Sequence, residues 1–467
     1  MPDTVPSPLD RARRKMYLRL LPILFLGYMI AYVDRTNVGL TKLTMSKDLP
    51  AFNDEVIGYG AGIFFIGYLV LAIPGTLLIE KWSARKWLAW TMIAWGIVAA
   101  ATSCVRTPIQ FYVLRFVLGL AEAGFFPGVI VYLTHWFPSR DRARTLSWFF
   151  VATPIAQIVS PKITNLMLPF GMTETISGSG ATAITRYHPE LWGMKGWQIV
   201  YIFWGVPAVL LGFLVLWMLT DRPRQARWFD PQEREALEAE LAREKHEKHS
   251  GKRMSVIEAL KHPKVLLLAT AYFFIVTGNY GIEFFMPSIF DDWYHLKLGA
   301  LTSMIVIPPM GSLLGQILVG WNSDRMGERR LHAALPIYVG ASALLLTMFS
   351  RGNLWLTVAM FTFVMMGLKA YLPAFWTLPS LFLTESAAAG SIGFINSIGN
   401  LGGQVGPAIL GWIKYRTGMF EPGIVILGTS MMISATIILS LGLGKRVVKP
   451  AASEVEDPLG EAVHEPV

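Results

Sequence analysis

Long apolar stretches recur along the chain and alternate with short polar segments. A transmembrane helix needs about 20 mainly apolar residues, and twelve stretches of this kind can be separated. They begin near Leu18, Val56, Trp87, Pro108, Thr145, Gln198, Val265, Ala300, His332, Leu354, Ala387 and Gly423. The pattern predicts an all-α polytopic membrane protein with twelve transmembrane helices.

The polar segments divide the chain into two halves of six helices. We expect an N-terminal arm at 1–17, the first half at 18–219, a linker at 220–264, the second half at 265–444 and a tail at 445–467. Within the linker, Asp230 and Pro231 form a helix-start signal, because aspartate suits the N-cap and proline the first helical position. The linker is therefore predicted to carry a short, charged, solvated helix.

The charge distribution predicts orientation. Of the 41 lysines and arginines, 28 lie on the arm, the linker, the tail and the loops of the same side, nine lie on the opposite loops, and four lie within spans. Cytoplasmic loops carry the excess of basic residues, so both termini are expected in the cytoplasm of an inner (plasma) membrane protein. This asymmetry also explains the net charge of +9 without nucleic acid as a partner.

Composition narrows the class further. Hydrophobic residues make up 53% of the chain and charged residues 16%, against about 25% charged in soluble domains. The single cysteine, Cys104, excludes a disulfide framework and a cysteine-based zinc site. No cleavable signal peptide is visible. No metalloprotease, hydrolase or phosphate-loop motif is found either, and we therefore expect neither an enzyme nor a bound cofactor or metal.

The two halves share a sequence pattern. Residues 80–86 and 324–330 both run acid, base, any, small, any, base, base, and Gly119-Leu120 is matched by Gly367-Leu368. The matches fall at equivalent loops and helices, which indicates an internal duplication. Parallel repeats of six helices place a substrate site near the bilayer midplane between the halves.

Four strings resemble motifs of a known transporter family. GWNSDRMGERR at 320–330 and RFVLGLAEAG at 115–124 are similar to the loop and helix 4 motifs of the major facilitator superfamily, although the first copy of the loop has Glu80 and Ser83 where the motif has Asp and Gly. YVDRTNVG at 32–39 and GLAEAGFFPG at 119–128 resemble the anion:cation symporters, which carry tartrate, sugar acids and aromatic carboxylates. The segment between helices 5 and 6, at 169–197, is longer than usual.

The resemblance implies a proton-coupled symporter that imports an organic carboxylate such as tartrate or a sugar acid, with protons as the coupling ion. It further implies a monomer whose partners are the anion and the lipid bilayer. An anion exchanger or an exporter of the same fold is the alternative. Exporters of this kind usually carry a Gly-Pro-Gly-Gly motif in helix 5, which here lacks it.

Charged residues within the spans are the candidate functional groups, because a charge at the bilayer centre costs at least about 2.5–3.5 kcal/mol. They are Asp34, Arg35, Arg115, Glu122, Lys162, Glu283 and Lys369. Burial favours a neutral carboxyl group and a nearby arginine favours the carboxylate, so an acid beside Arg35 can act as a proton switch. Asp34 is covalently adjacent to Arg35 and is expected to hold its charge beside it, which leaves Glu122 as the better proton carrier. Lys369 is expected either to contact the anion or to pair with Glu283.

The family resemblance assigns further roles. It implies that Arg35 binds the substrate carboxylate, that Asp34 and Glu122 take part in proton coupling, and that Arg115 tunes the acids. Other substrate contacts are expected at Tyr32, Tyr68, Gln157, Trp376 and Asn396. The loop residues Asp324, Arg325, Gly327 and Arg329 are expected to form a charge network between helices that locks the outward-facing state. A static ion-pair network that only ties helices together is the alternative to the coupling roles.

Overall fold

The computed structural model describes residues 7–138, 141, 145, 148–177, 184–247, 258, 260–383 and 385–442. The first half consists of α1 (Pro8–Arg19), α2 (Leu21–Thr36), α3 (Val38–Asp48), α4 (Asp54–Lys81), α5 (Ala84–Ala101), α6 (Pro108–Glu122), α7 (Phe125–Trp136), α8 (Ala152–Met167) and α9 (Gly196–Met218). The expected tail at 445–467 lies outside the described residues.

The second half follows a helix in the linker, α10 (Pro231–Glu247). It consists of α11 (Pro263–Tyr294), α12 (Leu298–Met304), α13 (Ile307–Met326), α14 (Arg330–Leu346), α15 (Leu354–Ala370), α16 (Leu372–Phe375), α17 (Glu385–Thr417) and α18 (Glu421–Ser440). Several crossings consist of more than one helix. These are α1 to α3, α6 with α7, α12 with α13, and α15 with α16.

The predicted all-α architecture is confirmed. Within the described part of the chain, ten helical runs are long and apolar enough to cross a membrane. The two remaining predicted spans fall on α8 and α17, which lie between neighbouring crossings in the chain. The protein is therefore a multi-pass membrane protein whose helices pack in two groups of six.

The arm and the linker helix form one polar layer on the bundle. Lys15 Nζ on α1 lies 2.7 Å from Glu233 Oε2 on α10, and the ring of Trp228 stacks on Trp136 at 5.5 Å. Burial opposes the charge of Glu233, but hydrogen bonds from Lys15 and from the Asp230 N–H hold the pKa of this carboxyl below its usual value. The linker thus differs from the expected solvated segment, because one side of α10 docks on the first half.

The long segment between the fifth and sixth crossings contains a β-hairpin. Strand β1 (Thr173–Ser177) pairs antiparallel with β2 (Ile184–Tyr187), with Thr173 opposite Tyr187. The hairpin returns to α9 next to Asp48, which accepts hydrogen bonds from Lys195 and, at 2.9 Å, from Trp197 Nε1. The hairpin therefore lies at the end of the bundle opposite α1 and α10.

The two ends of the bundle differ in charge and in the contacts between the halves. The end with α1, α10 and Asp324 is the basic face, and the end with the hairpin, Lys42 and Lys414 is the far face. The halves meet closely at the far face, where α3 packs on α11 and α4 on α17. Gly39 lies against the backbone of Phe284, and Gly58 against that of Gly411, so small residues allow the helices to approach.

Inside the first half, α6 packs directly on α4. Arg115, Gly119 and Glu122 lie three or four residues apart and so form one stripe of α6, where Gly119 lies against the backbone of Phe64 and Tyr68 on α4. A Cβ atom at Gly119 would overlap the carbonyl oxygen of Phe64. The backbone of α4 therefore packs against this stripe at Gly119, and this contact places Arg115 and Glu122 beside α4.

We expect Gly119→Ala to lower the thermal stability of the protein in detergent. The methyl group forces α6 away from α4, and overpacking of this kind costs about 1–3 kcal/mol. Gly393→Ala on α17 is the matched control, because no atom lies within 4 Å of a Cβ at Gly393. Melting curves of the two variants should separate, and equal curves would contradict the tight α4–α6 contact.

Candidate functional site

A cavity lies between the halves near the middle of the bundle. Its volume is about 100 Å³, which suits a small molecule rather than the drug-sized ligands of pockets of about 300–1,000 Å³. The polar and aromatic residues around it are Tyr28, Tyr32, Arg35, Tyr68, Phe126, Phe150, Thr153, Tyr272, Asn279, Tyr280, Lys369, Tyr371, Trp376, Asn396 and Asn400. Both halves contribute, as expected for a substrate site between two repeats.

Arg35 lies at the cavity wall and connects three helices. Its guanidinium group forms an ion pair with Glu122 on α6 and donates at 2.9 Å from Nη1 to the hydroxyl of Tyr280 on α11. The rings of Phe64 and Tyr68 lie 5.0 and 5.7 Å from the guanidinium carbon, which adds cation–π attraction. Glu122 is only 2% exposed and does not line the cavity, so Arg35 separates this acid from the cavity.

Asp34 does not take part in the Arg35 ion pair. Its side chain is buried near Trp95 on α5. The expectation that Asp34 is the charged neighbour of Arg35 therefore differs from the structure. Adjacent residues of a helix point about 100° apart, so covalent adjacency does not produce a side-chain contact.

Arg115 is fully buried and is bound mainly by main-chain carbonyl groups. Its guanidinium nitrogens donate to Gly60 O at 3.2 Å, to Ala61 O at 3.4 Å and to Arg35 O at 3.3 Å. It also lies over the Phe64 ring, 5.3 Å from its centroid. Arg115 thus connects α4 and α6 to the end of α2 and adds positive charge beside Asp34 and Glu122.

A second buried cluster surrounds the hydroxyl of Tyr32. Tyr32 donates to Glu283 on α11 and accepts from Lys369 Nζ on α15 at 3.1 Å and from Gln157 Nε2 on α8 at 3.3 Å. Lys369 Nζ also lies 2.6 Å from Glu283 Oε1. Of the two roles that the sequence left open for Lys369, the structure shows the ion pair with Glu283.

The remaining candidates fall into two groups. Tyr68, Trp376 and Asn396 line the cavity, as does Tyr32. Gln157 does not line the cavity and instead donates a hydrogen bond to the Tyr32 hydroxyl. Lys162 is exposed and donates to Ser303 at 2.5 Å, away from the cavity.

Sequence reasoning missed several cavity residues on α11. Tyr272, Val276, Asn279 and Tyr280 line the cavity from this helix, and Glu283 continues the same stripe. Their spacing of three or four residues places them on one face of a helix. A polar and aromatic stripe within an otherwise apolar span was the signal that could have identified this wall.

The cavity has access from one face. A larger cavity of about 440 Å³ lies at the basic face and shares Phe150, Leu372 and Trp376 with the central one. At the far face, Lys42 forms an ion pair with Asp54 and donates at 2.9 Å to Ser288 of the other half. The central cavity is thus closed toward the far face and open toward the basic face.

The loop motif lies at the mouth of the larger cavity. Arg329 Nη1 lies 2.5 Å from Asp324 Oδ1 and 3.0 Å from Ser323 Oγ, while Arg325 covers the ring of Trp321. Gly327 has a φ of 62°, which ends α13 and allows the sharp turn into α14. In this conformation the observed contacts of Asp324 and Arg329 join α13 to α14 of the same half.

Comparisons with known proteins agree with this architecture. A model of the major facilitator superfamily matches residues 24–407. A protein of Agrobacterium vitis that is provisionally named a tartrate transporter is 36% identical over 448 residues, which cover 95% of this chain and 94% of the relative. A quinolone resistance transporter of Acinetobacter baumannii is 34% identical over 422 residues, which cover 90% of this chain and 92% of that relative.

Solved structures show the same fold at low identity. A bacterial homolog of the human lysosomal transporter Spinster, in an inward-facing and occupied conformation, has a TM-score of 0.68 at 15% identity, covering 94% of this chain and 98% of that one. The xylose transporter of E. coli, in a partially occluded inward-open conformation, has a TM-score of 0.66 at 12% identity, covering 91% and 98%.

Proposed function

Because the chain belongs to the major facilitator superfamily, and is therefore a transporter of small molecules rather than an enzyme, we propose that it carries an organic carboxylate anion together with protons. The proposed transport is import by alternating access around the central cavity. The observation that carries the proposal is Arg35, whose largely buried guanidinium group lines the small central cavity and is paired with a carboxylate behind it.

Arg35 suits a carboxylate substrate because its planar guanidinium group can donate two parallel hydrogen bonds. In the present conformation these donors are used by Glu122 and Tyr280. A substrate carboxylate in the cavity offers the same acceptor geometry as Glu122. The proposal is that the two carboxylates compete for Arg35.

Competition for Arg35 links the anion to a proton. Once the substrate takes the arginine, Glu122 is a buried carboxylate that has lost its ion-pair partner, which is strongly unfavourable unless the group is neutralised. Glu122 therefore takes up a proton when the anion binds and releases it when the anion leaves. In this scheme Asp34 and Arg115 act indirectly, through the charge and position of Glu122 and Arg35.

The proposed substrate class is supported by similarity to a named relative as well as by the residues of the cavity. The A. vitis relative is named for tartrate, and a hydroxylated acid would find hydrogen-bonding partners in the asparagines and tyrosines of the cavity. We propose a small polar carboxylate such as tartrate or a sugar acid, with protons as the coupling ion and no further cofactor.

Export is the second candidate function. The quinolone resistance transporter is almost as similar as the tartrate relative, and the aromatic walls of the cavity would also suit a planar ring. A quinolone that stabilised the protein more than any carboxylate would favour this alternative. An obligate exchanger would take up the anion only into vesicles preloaded with anion, whereas a proton symporter accumulates it in empty vesicles under a pH gradient.

We further propose that the basic face lies in the cytoplasm of the bacterial inner membrane and that the protein works as a monomer. The excess of lysine and arginine at this face supports the orientation. Each chain contains a complete cavity, so no partner subunit is needed. Light scattering in detergent would test the monomer, because a mass of two chains would contradict it.

The orientation predicts which positions a membrane-impermeant thiol reagent reaches in intact cells. In a Cys104→Ser background, a cysteine at Ser7 should not react. A cysteine at Thr185 on the far-face hairpin should react and serves as the positive control. Reaction at position 7 in intact cells would reverse the orientation and the direction of access.

Arg35→Lys should weaken carboxylate binding by roughly 10- to 100-fold, since hydrogen bonds to charged groups contribute about 1.5–3 kcal/mol. Lysine keeps the charge but cannot reproduce the fork. Arg35→Ala should abolish binding. The measurement is a thermal-shift titration with tartrate, glucuronate and benzoate, since ligands stabilise the folded state that binds them. Unchanged affinity in Arg35→Ala would remove Arg35 from the site.

Glu122→Gln should separate binding from proton coupling. Glutamine has the size of the protonated acid but cannot release a proton, so the variant should bind and exchange the anion. It should not accumulate the anion in proteoliposomes under an imposed pH gradient. Uptake with and without the gradient, alongside counterflow, measures both properties. Accumulation equal to that of the wild type would move the proton-carrying role to another acid or another ion.

A further inference from the structure

Lys369 and Glu283 form a second buried ion pair beside the central cavity. Lys369 is 6% exposed and its Nζ lies 2.6 Å from Glu283 Oε1. The lysine lines the cavity, whereas the glutamate lies behind it. Neither residue has a role in the carboxylate site described above.

This arrangement repeats that of Arg35 and Glu122 in the other half. In both pairs the cation lines the cavity and the acid is buried out of it. Both pairs are also completed by a tyrosine from the opposite half, Tyr280 for Arg35 and Tyr32 for Lys369. The cavity is therefore bounded by two cations, one from each half.

The separation of the two pairs follows from helix geometry. Tyr32 and Arg35 are three residues apart on one run of helix, as are Tyr280 and Glu283 on α11. Three residues correspond to a rise of about 4.5 Å, close to one helical turn. The two pairs therefore lie at successive turns of α2 and α11, and both cations line the same cavity.

A purely structural role accounts poorly for the second pair. Replacing a buried ion pair by apolar residues is often neutral or stabilising. The pair also places a charge in α15, whose other residues are almost all apolar, where a buried charge is costly. Its position at the cavity allows the lysine to bind a substrate anion, and this binding offsets the cost of the buried charge.

We propose that Lys369 is a second anion-binding residue and that the substrate is a dianion, with one carboxylate on Arg35 and the other on Lys369. The second carboxylate takes the place of Glu283, which then takes up a proton, as proposed for Glu122, and stays hydrogen-bonded to Tyr32. This inference depends on the proposed function, because it presupposes that Arg35 binds a carboxylate. It adds that the cavity distinguishes dicarboxylates from monocarboxylates.

The test compares dicarboxylates with their monoamides, which keep the size and remove one charge. Binding of succinate, malate and tartrate, and of the monoamide of each, is measured by calorimetric titration of purified protein. The wild type should bind at least one diacid more tightly than its monoamide, by about 10- to 100-fold. In Lys369→Gln/Glu283→Gln, which removes both charges together, the diacid should fall to the affinity of its monoamide.

Two further variants sharpen the result. Glu283→Gln alone removes the competitor of the second carboxylate, so diacid binding should tighten while monoamide binding stays the same. Lys162→Gln is the matched control, because Lys162 is another lysine within a span but lies away from the cavity. It should keep the preference of the wild type for the diacid.

The possible results separate the two proposals. Equal affinity of the wild type for diacids and monoamides would overturn the dianion inference and leave the carboxylate function intact. A preference that survived in the double variant would overturn the role of Lys369. Failure of every acid and every monoamide to bind, together with failure of glucuronate and benzoate in the Arg35 titration, would overturn the proposed function and this inference together.

Discussion

The centre of this protein depends on one constraint: a charge buried among apolar helices needs a partner. Arg35 and Lys369 each lie within a span of low polarity, and each is held by a buried glutamate and a tyrosine hydroxyl. Because the tyrosines come from the opposite halves, satisfying the charges also brings the halves together. The register of α2 against α11 follows from these contacts.

The same constraint explains how such a site can work. A carboxylate that belongs to the protein and one that belongs to a substrate are equivalent acceptors for a guanidinium or ammonium group. Entry of an anion therefore displaces an acid, and a proton taken up by that acid removes the unpaired charge. The helices that carry these groups also hold the far-face contacts, such as Lys42 to Ser288. Rearrangement of charge at the cavity and opening at the far face thus involve the same helices.

Close helix packing places the charged groups. Gly119 allows α6 to lie on the backbone of α4, which positions Arg115 and Glu122, and Gly39 and Gly58 allow the halves to meet at the far face. Arg115 then ties main-chain carbonyls of α4 to the end of α2. The site is therefore supported by main-chain contacts on one side and by side-chain pairs on the other.

The twelve apolar stretches, the duplicated loop motif and the charges within spans could be read from the sequence, because burial in lipid demands long apolar runs and makes each buried charge conspicuous. The sequence thus determined the fold and nominated Arg35, Glu122, Glu283 and Lys369. It could not determine which cation holds which acid. Partners on different crossings are distant in the chain, and neighbours such as Asp34 and Arg35 point apart on a helix. Only the tertiary packing decided these pairings and the cavity wall along α11.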